Sequence, residues 1–311
     1  MTIAVEALFS EAFRLKALPI PIPQSIHNGW RTRAHRRLTK VFEMAKRVPF
    51  DDCSRIAFFS DCHRGDNSRA DVFARNEALF YRALTHYYRE GFTYIEVGDG
   101  DELLKNRRFS DIREAHGRIF DLLHRFDRQN RLYLILGNHD IQNGRRDRVE
   151  KDGLIAHEGL VLYHARTGQR IFVVHGHQVD LKSDRFHLVG RFLTRYIWKQ
   201  LQLFAIGSIP SREDASWNRE RIQQKIIEWQ QAHRPIVICG HTHRPRCAAY
   251  GSPPYFNTGS CLYSDYITGL EIQHGEIMLV RWSGRSETRQ GETSNIEREL
   301  LSPPKKLRLF A

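Results

Sequence analysis

Aspartate, asparagine and histidine recur in this 311-residue chain at one kind of place, directly after a short apolar run. Ile56–Phe59 leads into Ser60-Asp61-Cys62-His63, and Tyr94–Val97 leads into Gly98-Asp99. Arg131–Leu136 leads into Gly137-Asn138-His139-Asp140. Ile171–Val174 leads into His175-Gly176-His177, and Ile236–Ile238 into Cys239-Gly240-His241-Thr242-His243. The donors Asp61, His63, Asp99, Asn138, His175, His241 and His243 are carboxylates, an amide and imidazoles. That set suits Mn²⁺, Fe or Zn²⁺, and the absence of cysteine ligands argues against a structural zinc. One ion rarely uses seven donors; two ions sharing a bridging carboxylate do. A pair of ions about 3.5–4 Å apart clamps the attacking and leaving oxygens of a phosphoryl displacement and generates hydroxide at neutral pH. Any one block is weak, because a histidine at a strand end is more often a hydrogen-bonded core residue. Five blocks in succession, each closing an apolar run, are not a coincidence.

Such donors need elements that bring them to one edge. The apolar runs read as buried strands, and the carboxyl ends of strands in an α/β sheet are where sites form. Between the first blocks lie amphipathic stretches. A helix is predicted over Ala70–Arg89, ended by Gly91, and another over Asp111–Asp127. This strand–helix alternation predicts a sheet covered by helices. From Leu160 the pattern changes: Leu160–His164 and Arg170–Val174 flank Thr167-Gly168 as a hairpin. Phe186–Ile206 is rich in large apolar residues with interspersed arginines, and a helix over Trp217–Ala232 follows Pro210. The pair reads as a helical cap insertion, about 184–233, placed to shape a substrate pocket. Pro235–Cys239, Tyr255–Ser260, Gly269–Ile272 and Ile277–Trp282 read as the last strands. The division expected is a basic N-terminal extension over 1–54, a catalytic domain over 55–282 and a polar tail over 283–311, of which Leu307–Phe310 is apolar enough to dock. In the extension, Ala4–Leu18 has helical spacing stopped by Pro19, and the basic stretch Arg31–Arg47 reads as the exposed face of a short helix.

Composition limits the function classes. Hydrophobic content of 41% with 27% charged residues is ordinary for a globular protein, and the length is enough for a full core. The formal net charge of +12 favours an anionic partner. The five cysteines show no CxxC pair, which predicts a reduced, intracellular protein without structural disulfides. No signal-peptide pattern or membrane-spanning run is seen, so a cytoplasmic location is expected.

Taken together, Asp61-Cys62-His63, Gly98-Asp99, Gly137-Asn138-His139-Asp140, His175 and Gly240-His241-Thr242-His243 resemble the complete signature of the calcineurin-like metallophosphoesterases, across roughly Arg55–Gln273. The resemblance implies an α/β fold with two β-sheets face to face, flanked by helices (αββα). It implies a dinuclear site, with Mn²⁺ the first expectation. Asp61, His63 and His243 would bind one ion, Asp99 would bridge, and Asn138, His175 and His241 would bind the other. His139 would face the phosphate as the catalytic residue that stabilises or protonates the leaving group, oriented by Asp140. The implied reaction is in-line hydrolysis of a phosphoester or pyrophosphate by a metal-bridging hydroxide. The layout is most similar to the UDP-2,3-diacylglucosamine diphosphatases, which also carry a helical insertion before Gly-His-Thr-His and use it to grip acyl chains. A lipid-linked or small phosphorylated substrate follows, with peripheral membrane contact through the cap. Departures from that group are Arg64-Gly65-Asp66 after the first block, the acidic run Gly98–Glu102 and the basic N-terminus. Arg64 and Arg244, which flank metal blocks, are candidates to contact substrate phosphate; Asn257, in Tyr255–Ser260, is a candidate supporting residue at the substrate side. Two other readings stay open. One is a nuclease of the same chemistry, favoured by the charge but lacking aromatic–basic interleaving. The other is a non-catalytic interaction scaffold, against which stands the full ligand set.

Overall fold

The computed structural model describes residues 33–140, 149–180, 212–284 and 296–310. Among them the elements run, in order, α1 (Arg33–Met44), β1 (Lys46–Phe50), β2 (Ile56–Phe59), α2 (Glu77–Arg89), β3 (Thr93–Val97), α3 (Phe109–Ala115), α4 (Gly117–Asp127) and β4 (Leu132–Ile135). They continue with β5 (Val149–Lys151), β6 (Leu154–His157), β7 (Gly159–His164), β8 (Arg170–Val174), α5 (Arg212–His233), β9 (Ile236–Cys239) and β10 (Tyr255–Asn257). β11 (Tyr266–Gln273), β12 (Glu276–Ser283), β13 (Glu297–Leu300), β14 (Lys305–Lys306) and a closing 3₁₀ turn (Leu307–Phe310) complete the chain. The described strands make two sheets, one in the order β1-β7-β8-β9-β10 and one in the order β13-β12-β11-β2-β3-β4-β6-β5, with β14 on β12. β2, β3, β4 and β6 are parallel, as are β8 and β9, so the blocks after them emerge at one edge.

Side-chain alternation at period two builds the layers. Ile56, Phe58, Ile95 and Ile135 of one sheet pack against Leu160, Leu162, Ile171, Val173, Ile236 and Ile238 of the other. Ala57, Phe59 and Tyr94 point the opposite way, onto Leu79, Leu84, Leu123 and Phe126 of α2 and α4. Val161, Phe172, Val174 and Val237 face outward onto Ala34 and Leu38 of α1 and onto Ile222, Ile226 and Trp229 of α5. The result is a helix–sheet–sheet–helix sandwich, as the resemblance implies. Each such buried aliphatic side chain contributes about 1.5–3 kcal/mol.

Three expectations change. Residues 33–54 are part of the fold: β1 pairs in parallel with β7, α1 presents Arg33, Arg36 and Lys40 to solvent, and Trp229 donates a 2.9 Å hydrogen bond to Thr39. The helix over 217–232 runs from Arg212 to His233 and covers the outer face of a sheet through Ile222, Ile226 and Trp229, a layer helix rather than a lid. Phe186–Ile206 lies outside the described residues, as does the Ala4–Leu18 helix. Of the polar tail, Glu297–Leu300 and Lys305–Lys306 extend the sheet on β12, and Leu307 and Phe310 are buried.

The two long helices are also interrupted. The Asp71 carboxylate accepts the N–H groups of Phe73 and Ala74, which starts the first helix as a 3₁₀ turn at Phe73 before α2. The second breaks at His116, whose buried ring meets Asp71 at 2.9 Å and Glu77 at 3.6 Å. Burial opposes a charge on His116, but Asp71 and Glu77 outweigh it and raise its pKa. The folded state therefore binds this proton more tightly than the unfolded chain. Its contribution is complete below the ordinary imidazole range and fades as pH rises through the raised value. A His116→Gln variant is expected to be about 1.5–3 kcal/mol less stable than the parent at pH 6. The gap in urea midpoints should narrow on the alkaline side; a gap that does not change with pH contradicts a charged His116.

Candidate metal centre

The backbone places the donors before any side-chain argument is needed. Asp61, His63, Asp99, His241 and His243 all have φ between 49° and 66°, in the left-handed region that non-glycine residues rarely adopt. Such strain persists where the surroundings over-determine it and concentrates at functional sites. Here hydrogen bonds carry the β2 and β3 ends past the strands: Asp61 N–H to Gly98 O at 3.0 Å, His63 N–H to Asp99 O at 2.9 Å and Arg64 N–H to Gly100 O at 2.9 Å. Two glycines make room. A Cβ at Gly137 would collide with the Asp99 carboxylate, and one at Gly98, which is itself at φ 83°, would collide with the His175 ring.

The candidate metal donors fall into two of the three carboxylate–imidazole triads present among the described residues, the third being His63, Glu102 and His139. Asp61, His63 and His243 offer atoms within 4.8 Å of one another, and so do Asp99, His175 and His241. Asp99 lies between them, its Oδ2 3.1 Å from His175 Nε2 and 3.7 Å from His63 Nε2. The hydrogen bonds leave one face of each donor open. His175 Nδ1 donates to Val97 O at 2.8 Å, and His63 Nδ1 is 3.2 Å from Glu102 Oε2, so both rings present Nε2 to the centre. Asp61 Oδ2 accepts from Ser60 Oγ and from His241 N–H, leaving Oδ1 facing inward. Asp61 Oδ1, His63 Nε2, His175 Nε2 and Asn138 Oδ1 are buried and make no hydrogen bond. Asp61 Oδ1 and His63 Nε2 belong to one triad and His175 Nε2 to the other, and orphaned donor atoms of these types fit two divalent cations.

The charges agree with that fit. Burial works against ionised Asp61, yet His243 and His175 pull its carboxyl down to about 2. Burial likewise opposes a charge on Asp99, and His175, His139 and His63 carry it well below the carboxylate range. Burial lowers the His175 pKa, but Asp99 more than compensates and raises it to about 9. His241 goes the other way, lowered by its burial. Protons stand in this cluster where cations would, so cation binding displaces them.

The remaining expected residues separate. His139 faces the same space, its ring centroid 4.4 Å from that of His63 and its backbone N–H bonded to Asp99 Oδ1 at 2.8 Å. Asp140 does not orient it. Asp140 is fully buried, accepting the N–H groups of Asp101 and Gly137 at 2.9 and 2.8 Å and the ammonium of Lys151 at 2.5 Å, and so clamps its own loop. Glu102 takes the orienting place, its Oε1 2.7 Å from His139 Nδ1. Its position three residues after Asp99 in an acidic run was the signal for it. Arg64 does not reach substrate either: at 1% exposure it forks onto Glu96 at 2.7 and 2.8 Å and reaches Asp101 at 2.8 Å. Asn257 is buried behind the last block, donating to Gly240 O at 2.7 Å. Arg244 is exposed at the edge, 3.4 Å from Glu220. Over His63, His139 and His243 opens a cavity of about 280 Å³, lined further by Asp66, Val72, Lys105 and Leu262.

The family described as calcineurin-like phosphoesterase matches residues 54–245. No curated protein matches the chain. Among solved structures, Vacuolar Protein Sorting 29 of Cryptosporidium parvum is 13% identical with a TM-score of 0.40, over 80% of this chain and 98% of that one. Vps29 of Chaetomium thermophilum is 13% identical with a TM-score of 0.38, over 80% and 97%. A Staphylococcus aureus protein described as a 5'-nucleotidase, solved with alpha-ketoglutarate, is 16% identical with a TM-score of 0.34, over 80% and 54%. Likeness at this level carries no argument about function.

Proposed function

Since the chain belongs to the calcineurin-like phosphoesterase family, we propose that it hydrolyses a phosphoester or pyrophosphate bond with two divalent cations, Mn²⁺ first, held by the two triads. The observation that carries this reading is the set of orphaned donor atoms in two triads, with the Asp99 carboxylate near His175 of one and His63 of the other. When bound, the cations polarise the phosphoryl oxygens and lower the pKa of water. The chain's own residues do the rest. Asp61, His63 and His243 with Asp99 hold one cation; Asn138, His175 and His241 with Asp99 hold the other. A substrate phosphoryl group entering the 280 Å³ cavity meets His139 and Lys105. Burial works against a proton on His139, yet Glu102 and Asp99 outweigh it and raise its pKa to about 9. A protonated imidazole there donates to the departing oxygen. Glu102 acts as a positioning residue by fixing the Nδ1 side of both His63 and His139.

A Glu102→Gln variant keeps the shape and removes the charge. Its kcat is expected to fall roughly 10–100-fold with KM little changed, and Glu102→Asp is expected to recover part of the loss. A rise in KM at constant kcat contradicts the positioning role.

The nucleotide-sugar lipid stays a lead, because the apolar segment that would hold acyl chains lies outside the described residues. The test is a panel of p-nitrophenyl phosphate, bis(p-nitrophenyl) phosphate, a UDP-sugar lipid and single-stranded DNA, offered to Mn²⁺-loaded protein. Turnover of one of the first three, lost in His139→Ala, supports the reading and ranks the substrates. Preference for DNA moves the reading to a nuclease. No turnover of any member, with two cations bound per chain, favours a non-catalytic scaffold.

A further inference from the structure

Part of the net charge of +12 gathers, among the described residues, away from the candidate metal centre. At the other end of the sandwich lie two adjoining cavities of about 410 and 300 Å³ that share Thr167, Gln169 and Arg308. Between them they are lined by five exposed cations, Arg166, Arg170, Arg234, Lys306 and Arg308, and one carboxylate, Asp52. Asp52 is already taken, by Arg166 and by His164 at 3.2 Å. Arg234, Lys306 and Arg308 have no ion-pair partner among the described residues; Glu276, in register with Lys306 on β12, makes none.

The frame is built, not a chance gathering of surface side chains. His164 Nδ1 accepts the N–H groups of Arg166 and Thr167 at 3.3 and 3.2 Å, which leaves its Nε2–H for Asp52 and fixes the β7–β8 turn. Gln169 donates to Leu307 O at 2.8 Å, and Leu307 N–H donates to Gly275 O at 2.9 Å. Leu307 and Phe310 are buried, so the closing turn is pinned with Lys306 and Arg308 outward. β8 begins at Arg170 here and ends one residue before His175, a separation of roughly 17 Å along an extended strand.

We propose that these cavities form a second, non-catalytic site for a phosphoryl anion. Like charges held together by rigid backbone repel one another, and a bound dianion relieves that repulsion. Guanidinium forks match phosphoryl oxygens in pairs, where an ammonium offers only a point charge. The phosphoryl group comes either from a free phosphate or from a phospholipid headgroup, and two arms separate these sources.

The first arm titrates full-length, metal-loaded protein with inorganic phosphate in a calorimeter. The parent is expected to show two classes of site. Arg234→Ser/Arg308→Ser should lose one class, weakened by about tenfold or more, with turnover unchanged. Asp99→Asn should keep the class that the double variant loses. The second arm is co-sedimentation with vesicles of phosphatidylglycerol in phosphatidylcholine. Vesicle binding lost in the double variant, with no second phosphate class in the parent, assigns the phosphoryl group to lipid. A control of equal charge, Arg89→Ser/Arg128→Ser, changes exposed arginines at the end of α2 and just after α4. The proposal is overturned if the parent shows neither response, if the double variant keeps both, or if the control loses them equally.

Discussion

Asp99→Asn is expected to lower turnover roughly 10³-fold, by removing several kcal/mol of charge stabilisation that the cations supply. The size follows from position. Among the described residues, Asp99 is the one carboxylate with an oxygen near donors of both triads, 3.1 Å from His175 and 3.7 Å from His63. Asparagine keeps an oxygen able to accept the His139 N–H that Asp99 Oδ1 now receives at 2.8 Å, so loop geometry survives while the bridging charge is lost. Metal content per chain should fall in parallel, and the circular dichroism spectrum should not change. Unchanged turnover with full metal content contradicts a bridging Asp99.

Arg64→Leu is expected to destabilise the fold by about 3–5 kcal/mol, since it breaks a buried ionic network from one side. Arg64, Glu96, Asp101, Asp140 and Lys151 are all at most 3% exposed. Two cations face three carboxylates; of the two, Arg64 covers Glu96 with two hydrogen bonds, beside one from the Tyr94 hydroxyl, while sharing Asp101 with Lys151. Burial opposes the charge on Asp101, yet Arg64 and Lys151 hold its carboxyl down to about 2. The network ties the loop after β2 to the loops after β3 and β4, and Lys151 anchors it to β5. The variant should show its effect in urea midpoints, with KM of the folded fraction close to the parent's. Unchanged stability with a raised KM would make Arg64 a substrate contact.

These two residues show where the sequence was legible and where it was not. Each metal block is local: an apolar run sets the strand, and the donors follow within a few residues, so Asp61 to His63 or Gly240 to His243 can be read without knowing the fold. A sheet covered by helices follows from the same runs plus the helical stretches between them, while the second sheet was implied by the resemblance alone. Partnerships across the sheet are not local. Arg64 beside a candidate metal-ligand histidine looks like a phosphate contact, and only the approach of Glu96 and Asp101 from the neighbouring strand and its loop turns it inward. His139 is followed by Asp140, so Asp140 looked like its partner; the backbone instead turns Asp140 into the loop and brings Glu102 across. β1 has a single buried residue, Phe50, and its partner β7 is more than a hundred positions away, so it read as a basic extension. β13 is polar because it lies at a sheet edge, where burial leaves no alternation to read.

The most direct test of the dinuclear reading is anomalous diffraction from crystals of the full chain grown with Mn²⁺. Two peaks are expected, one against Asp61, His63 and His243 and one against Asn138, His175 and His241, with the Asp99 carboxylate between them. A single peak, or peaks that do not touch Asp99, would contradict it.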